Sequence, residues 1–378
     1  MRETIAREVA ERASRFGSLR FDEVLELALY DDEAGFYATG AGAGRDRADF
    51  LTSPEVGPLF GTVLARALDR WWEDVGRPDP YVVVDAGAGS GALATAVLAA
   101  RPACSPSLRY VLVERSARWR ERQSRRLPLE PADLVLGPTT VTDADLGPQP
   151  VPGLGPLVTA LDDLPAGPFE GVVFANELLD NLPFRLLQRG DDDWLEVRVL
   201  PDLTELLVEA PADVAAEAAT FAPDAAPGAR IPLQHQARRW LRTALATLSA
   251  GRVVVVDYAD TTPSLASRPW TDWVRTYRGH RRGGLPLEDL GEQDVTCEVA
   301  VDQLAQGAPP ALDRTQAEFL RAHAIDELAD DARRAWRERA HVGDLEALQA
   351  RSRVSEAAAL TDPAGLGAFR VLEWEVRR

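Results

Sequence analysis

The hydrophobic and polar positions of the chain fall into two alternating periods. Short runs over residues 81–85, 109–114, 171–175 and 252–257, continuously apolar apart from charged residues at some of their ends, predict four strands buried on both faces, the pattern of a parallel sheet. Other apolar residues recur at helical spacing. Leu59, Phe60, Val63, Leu64, Ala67, Leu68, Trp71 and Trp72 make one helix face, and Leu233, Ala237, Trp240, Leu241, Ala244, Leu245 and Leu248 another. A further helical run over 92–100 follows the first strand. Buried strands alternating with helices predict an α/β fold, a doubly wound Rossmann-like sheet.

Two stretches interrupt the alternation. Residues 184–188 and 194–200 flank Arg189-Gly190-Asp191-Asp192-Asp193 as a hairpin would, and residues 201–230, rich in Ala, Pro and Asp, are expected to form a surface helix and loop. Residues 369–376 alternate as a closing strand. The N-terminal region reads as helical around the Gly-rich stretch Ala38-Thr39-Gly40-Ala41-Gly42-Ala43-Gly44. It continues into Thr52-Ser53-Pro54-Glu55, where Ser53 suits an N-cap, Pro54 a first helical position and Glu55 the positive helix end. The expected organisation is an N-terminal helical cap and crevice-forming segment over 1–75, a doubly wound core over 76–183 and 251–378, and an inserted hairpin with helices over 184–250, on the substrate or partner side.

Composition narrows the chemistry. All 42 basic residues are arginines, so reactions that need a lysine (Schiff bases, pyridoxal phosphate attachment, a P-loop) are excluded. A net charge of −18 argues against nucleic acid as a partner and favours encounter with cationic, arginine-rich protein segments, although solubility alone would also explain it. Cys104 and Cys297 are too few for a disulfide framework or a zinc cluster and suit a reducing compartment. No apolar run approaches the roughly 20 residues of a membrane span, and the charged N-terminus lacks a signal-peptide core. The expected setting is therefore cytoplasmic, with no membrane partner; a homodimer is left open. His235, His323 and His341 have no partner at ligand spacing, so no metal site is expected, and His280 lies in an arginine-rich turn with Arg275, Arg278, Arg281 and Arg282.

After the first strand comes Asp85-Ala86-Gly87-Ala88-Gly89-Ser90-Gly91. Glycines let backbone approach a ligand, and the start of the following helix supplies free N–H groups. Asp85, Gly87, Gly89 and Gly91 resemble the first motif of Rossmann-like methyltransferases, whose loop wraps the amino-acid part of S-adenosyl-L-methionine. Gly87, Gly89 and Ala92 also satisfy the dinucleotide pattern, and Glu114 after the second strand suits either cofactor, since a carboxylate there accepts both ribose hydroxyls. A structural glycine turn is the third reading.

Asn176-Glu177-Leu178-Leu179-Asp180-Asn181-Leu182-Pro183 follows the third strand, where a doubly wound sheet lines its ligand crevice. Asn176 offers a carbonyl and an amide, while Glu177 and Asp180 suit a cation, because carboxylates match the planar donor fork of a guanidinium. These three are the candidate catalytic residues. The plainer alternative is that Asn176 caps a helix and the acids favour its first turn. Methyl transfer needs an in-line nucleophile and exclusion of water, and carboxylates can orient a guanidinium acceptor.

Taken in order, these motifs resemble the MidA-like methyltransferases, relatives of the mitochondrial complex I assembly factor that methylates an arginine. The likeness runs through residues 21–37, Asp49-Phe50-Leu51-Thr52-Ser53-Pro54-Glu55, Phe60-Gly61, the glycine loop, Asn176 to Pro183 and Val256-Asp257-Tyr258. It continues in Tyr277-Arg278-Gly279-His280-Arg281, Gly291-Glu292-Gln293-Asp294-Val295-Thr296 and residues 366–372. The resemblance implies S-adenosyl-L-methionine held by Gly87, Gly89, Gly91 and Glu114, a crevice built with Thr52, Ser53 and Pro54, and Asp162 or Asp163 near the adenine. It implies a protein substrate bearing the target arginine, a respiratory-complex subunit among the candidates. Two departures are Glu298, where the family usually shows histidine, and Leu178-Leu179, where many members carry aromatics. A small-molecule N- or O-methyltransferase and an assembly chaperone with a vestigial cofactor site are the alternatives.

Overall fold

The computed structural model describes residues 2–38, 52–137, 140–143, 147–150, 153–278 and 281–377. Most of the Gly-rich stretch (39–44), the Asp49 to Leu51 part of the motif before Thr52, and Gly279 with His280 lie outside the described residues. The chain groups into two compact units, a sheet unit (51–176, 244–256, 310–378) and an insert unit (1–50, 177–243, 257–309).

The sheet unit is built on seven strands: β1 (Tyr81–Ala86), β2 (Leu108–Val113), β3 (Leu157–Leu161), β4 (Phe169–Asn176), β5 (Leu248–Asp257), β6 (Leu312–Thr315) and β7 (Arg370–Val376). Their order is β3-β2-β1-β4-β5-β7-β6. Neighbours from β3 through β5 run parallel, and β6 and β7 pair antiparallel. The continuous apolar runs have the expected cause: Val83, Val84, Val172, Val173, Ala175 and Val253 to Val256 are covered on both faces. Gly171 permits the close approach of β4 to β1, since a Cβ there would lie 1.8 Å from the Val82 carbonyl oxygen. The helix Pro58–Asp74 buries the predicted face, Leu59 to Trp71, against a core that includes Val83, Phe174 and Val254. Trp72 is only partly buried and donates its indole N–H to the Pro78 carbonyl at 2.9 Å.

The order is the 3-2-1-4-5 doubly wound arrangement with one strand, β7, placed between β5 and β6. Sequence pattern missed β3 and β6. Leu157-Val158-Thr159-Ala160-Leu161 carries a buried threonine within a five-residue run, and Leu312-Asp313-Arg314-Thr315 is a charged, largely exposed edge.

In the insert unit, helices Arg2–Phe16 and Phe21–Tyr30 accompany an antiparallel sheet. The hairpin is present, with Arg185–Arg189 paired to Trp194–Val199. Within 201–230 the helix Ala212–Phe221 is joined by a strand, Glu205–Glu209, which pairs with Trp194–Val199 and has no counterpart in the expected loop.

The grouping differs from the expected organisation at four places: residues 51–75 and 244–250 fall in the sheet unit, and residues 177–183 and 257–309 in the insert unit. Helix Pro58–Asp74 belongs with the sheet because its apolar face fills that core. Residues 257–309 belong with the insert unit because Leu265, Trp273, Val274, Val295 and Cys297 pack with Phe21, Leu25 and Phe184.

Candidate active site

The glycine loop turns sharply out of β1. Gly87, Gly89 and Gly91 have φ of 73°, 48° and 75°, left-handed values that glycine adopts without steric cost. The amides of Gly87 and Ala88 donate to the Val113 carbonyl at 2.9 and 3.0 Å, tying the loop to the end of β2. A Cβ on Gly89 would meet nothing nearer than the Gly87 carbonyl oxygen at 4.0 Å, so this backbone is open to close approach. Gly91 caps the helix Ala92–Ala100, and a Cβ there would press on Leu112 at 3.2 Å.

Two side chains hold the loop in shape. The Glu114 carboxylate, just past β2, accepts the Gly89 amide at 3.0 Å and the Ser116 amide at 2.9 Å. Burial raises its pKa while these two amides, together with Arg120, oppose the rise. Gln123 donates to the Gly89 carbonyl at 2.8 Å and is fully buried. Sequence reasoning missed Gln123; the available signal was an uncharged residue inside the arginine-rich helix Ala117–Arg126. Asp85 is buried at the end of β1 and accepts the Tyr110 hydroxyl at 3.1 Å. Burial pushes its pKa up to about 7, against that hydrogen bond and with a contribution from Glu114.

Asp162 and Asp163 are exposed immediately after β3, and Asp163 accepts the Leu164 amide at 2.7 Å. Thr52, Ser53 and Pro54 begin the short helix Ser53–Val56. The expected Ser53 cap is corrected here. Thr52 is the N-cap and makes no side-chain cap bond, whereas Ser53 lies inside the helix, buried, and donates its hydroxyl to Gln316 at 2.9 Å. Glu55 accepts the Ser90 hydroxyl at 3.4 Å, linking this segment to the glycine loop.

Asn176 is the last residue of β4, in register with Val256 of β5. It caps no helix: the following turn is Leu179–Asn181, whose N-cap is Leu178. At Glu177 the chain passes into the insert unit with φ of 51°, a left-handed value for a residue with a Cβ. Such a conformation costs about 1–2 kcal/mol and persists where the surroundings enforce it.

Within the insert unit Asp180 and Asp257 are each about 1% exposed. Asp257 Oδ2 accepts the amides of Leu179 at 3.1 Å and Asp180 at 3.3 Å, and Oδ1 accepts the Tyr258 amide at 3.0 Å. Asp180 Oδ2 accepts the Tyr258 hydroxyl, while Oδ1 is buried with no hydrogen-bond partner among the described residues. Burial lifts the Asp180 pKa to about 7 against the pull of Tyr258 and nearby amides. It raises Asp257 as well, with the Asp180 and Glu177 charges adding to the effect. Asp294 accepts the Tyr37 hydroxyl at 2.9 Å and the Asn181 side-chain Nδ2 at 3.2 Å, and Tyr30 donates to the Asn181 backbone carbonyl at 3.2 Å.

The structure thus brings Glu177 and Asp180 together with Asp257, Asp294 and the phenols of Tyr30, Tyr37 and Tyr258. The last five had no place in the expected catalytic set, although all of them stand in runs that carry the family resemblance: residues 21–37, Val256-Asp257-Tyr258 and Asp294-Val295-Thr296. Glu298, the departure from the family pattern, binds Arg268 at 2.8 Å and Arg275 at 2.7 Å. Arg278 pairs with Asp289 and Glu292, so these arginines are answered within the chain.

A doubly wound sheet with a glycine loop after β1, pinned by an acid after β2, defines a Rossmann-like nucleotide-cofactor fold, and the family places it among the S-adenosyl-L-methionine-dependent methyltransferases. The chain belongs to the family of putative S-adenosyl-L-methionine-dependent methyltransferases, whose profile matches residues 63–320. The mitochondrial protein arginine methyltransferase NDUFAF7 homolog of Drosophila melanogaster is 27% identical over 321 residues, 78% of this chain and 68% of its own. The mitochondrial protein arginine methyltransferase NDUFAF7 of Xenopus tropicalis is 25% identical, over 82% of this chain and 73% of its own. A protein from Burkholderia thailandensis, crystallised with S-adenosyl-homocysteine, matches with a TM-score of 0.79 and 26% identity, over 99% of this chain and 92% of that one. These relatives support the MidA-like resemblance, and with it the methyl-donor reading of the glycine loop over the dinucleotide one. They also correct one expectation: the NDUFAF7 proteins are mitochondrial, which conflicts with the cytoplasmic setting inferred from composition.

Proposed function

We propose that this methyltransferase acts on an arginine side chain of a protein, with the acidic cluster of the insert unit receiving the guanidinium. The observation that carries the reading is Asp180, buried among acids with one oxygen lacking a partner among the described residues. A buried acceptor of this kind calls for a donor, and a guanidinium brings both donors and a permanent positive charge. The relatives named protein arginine methyltransferases support the same substrate class, as does the net charge of −18.

The cofactor residues we assign are Gly87, Gly89, Gly91 and Glu114, with Thr52, Ser53 and Pro54 shaping the approach, Asp85 steadying the loop, and Asp162 or Asp163 toward the adenine. The open backbone at Gly89 and the Glu114 carboxylate beside it fit an amino-acid and ribose-bearing group. Bound S-adenosyl-L-methionine supplies an activated methyl on its sulfonium. The remaining work falls to side chains: Glu177 and Asp180 orient the acceptor nitrogen, Asn176 adds a polar contact at the β4 end, and Asp180 takes the proton that the methylated nitrogen releases. A carboxylate with a pKa near 7 suits that exchange.

The test is methyl-labelled donor with arginine-containing peptides and the same peptides carrying lysine in place of arginine. The proposal expects label on arginine alone. Label on lysine peptides, or only on small-molecule acceptors, would overturn it.

A further inference from the structure

Tyr258 directly follows Asp257, and its hydroxyl donates to Asp180 Oδ2. Its ring is held from behind: the Arg275 guanidinium lies 5.8 Å from the ring centroid and is itself bound by Glu298 at 2.7 Å. The two consecutive residues therefore grip the Leu179–Asn181 turn twice. Asp257 takes its backbone amides, and Tyr258 takes one oxygen of its acid. Tyr37 and Tyr30 do neither, since they donate to Asp294 and to the Asn181 carbonyl.

We propose that Tyr258 is a positioning residue for the acceptor: by hydrogen-bonding Oδ2 it fixes the Asp180 carboxylate so that Oδ1, which lacks a hydrogen-bond partner among the described residues, is the oxygen that meets the incoming cation. This rests on the reading that Asp180 receives a guanidinium. The Tyr258 hydrogen bond also favours the charged form of Asp180, whose burial works the other way. The ionisable groups around Asp180 are Glu177 on its own loop, Asp257 and Tyr258 after β5, Asp294 and Cys297 on the strand Asp294–Cys297, Tyr37 after the second helix, and Arg275 behind Tyr258.

The experiment is calorimetric titration of the full chain with N-acetyl-arginine methylamide, in saturating S-adenosyl-homocysteine, from pH ~5.5 to ~8.5, a range that brackets the raised carboxylate. Wild-type affinity should rise with pH through about 7, as Asp180 ionises. Tyr258→Phe keeps the ring but loses the hydroxyl, so the midpoint should move up by about one pH unit. Replacing Tyr258 with 3-fluorotyrosine, a stronger donor of nearly the same shape, should move it down, and that holds even where the Phe variant folds poorly. Asp180→Asn should flatten the profile. A midpoint unmoved in both Tyr258 variants, with wild type binding normally, would overturn the part given to Tyr258 alone. Probe binding that is absent or flat with pH in wild type would overturn the guanidinium reading, and this inference with it.

Discussion

The glycine loop of the sheet unit and the acidic cluster of the insert unit are built by opposite means. The loop exposes backbone: three glycines in left-handed conformations, one of them with open space where a side chain would stand, shaped by Glu114 and Gln123 from outside. The cluster is made of buried side chains, and most of its polar atoms are already engaged with one another. A backbone loop suits a ligand whose shape never changes, such as a cofactor. A preorganised cluster in which Asp180 Oδ1 lacks a hydrogen-bond partner among the described residues suits a side chain that arrives on a larger partner.

The comparison breaks most sharply at Gly89. Gly89→Val fills the space above the loop and forces a branched residue into a φ of 48°. S-adenosyl-homocysteine affinity should fall by about 100-fold or more, measured by calorimetry, with arginine-probe binding retained. An affinity within a few-fold of wild type would remove the loop from the cofactor site.

Asp180→Asn should lower turnover by roughly 10²–10³, the scale of a lost acid–base group, with cofactor affinity unchanged. The same variant has a stability signature. A buried acid with a raised pKa contributes stability that is complete below its ordinary value of 3.8 and is lost as pH rises through about 7. Asp180→Asn should therefore melt higher than wild type at pH ~8 and show less advantage at pH ~5. A variant that melts lower at both values would make Asp180 a structural residue.

Glu114→Gln retains the shape but loses a charge that accepts two amides, so cofactor affinity should drop by about tenfold, with turnover at saturation little changed. The smallest effect is expected at Glu177. Glu177→Gly relieves the left-handed strain and should stabilise the chain by about 1 kcal/mol in thermal unfolding while weakening the arginine probe. Destabilisation there would show that the Glu177 side chain supports the fold.

The two regions were also unequally legible in the sequence. The loop is contiguous, so Asp85 through Gly91 could be recognised from residue type and spacing beside a strand of four apolar positions. Gln123, 34 residues beyond Gly89, gave no such signal. The cluster draws on Tyr30, Tyr37, Asp180, Asp257, Tyr258 and Asp294, which the fold alone brings together. The part beside β4, Asn176 to Asp180, could be picked out by its run of polar groups after a strand; Asp257 and Tyr258 also stand at the end of an expected strand but carry no such run of acids and carboxamides. Ser53 shows a different limit. Serine before proline and glutamate suits a helix cap, yet the hydroxyl bonds to Gln316, 263 residues away. Strands β3 and β6 escaped because an apolar run marks a strand buried on both faces, and these are the two edges of the sheet.

The most direct measurement is a crossed titration: wild type, Gly89→Val and Asp180→Asn, each titrated with S-adenosyl-homocysteine and with N-acetyl-arginine methylamide. Division of labour between loop and cluster predicts that Gly89→Val loses the first ligand and keeps the second, and that Asp180→Asn does the reverse. Loss of both ligands in each variant, or of neither in Asp180→Asn, would contradict it.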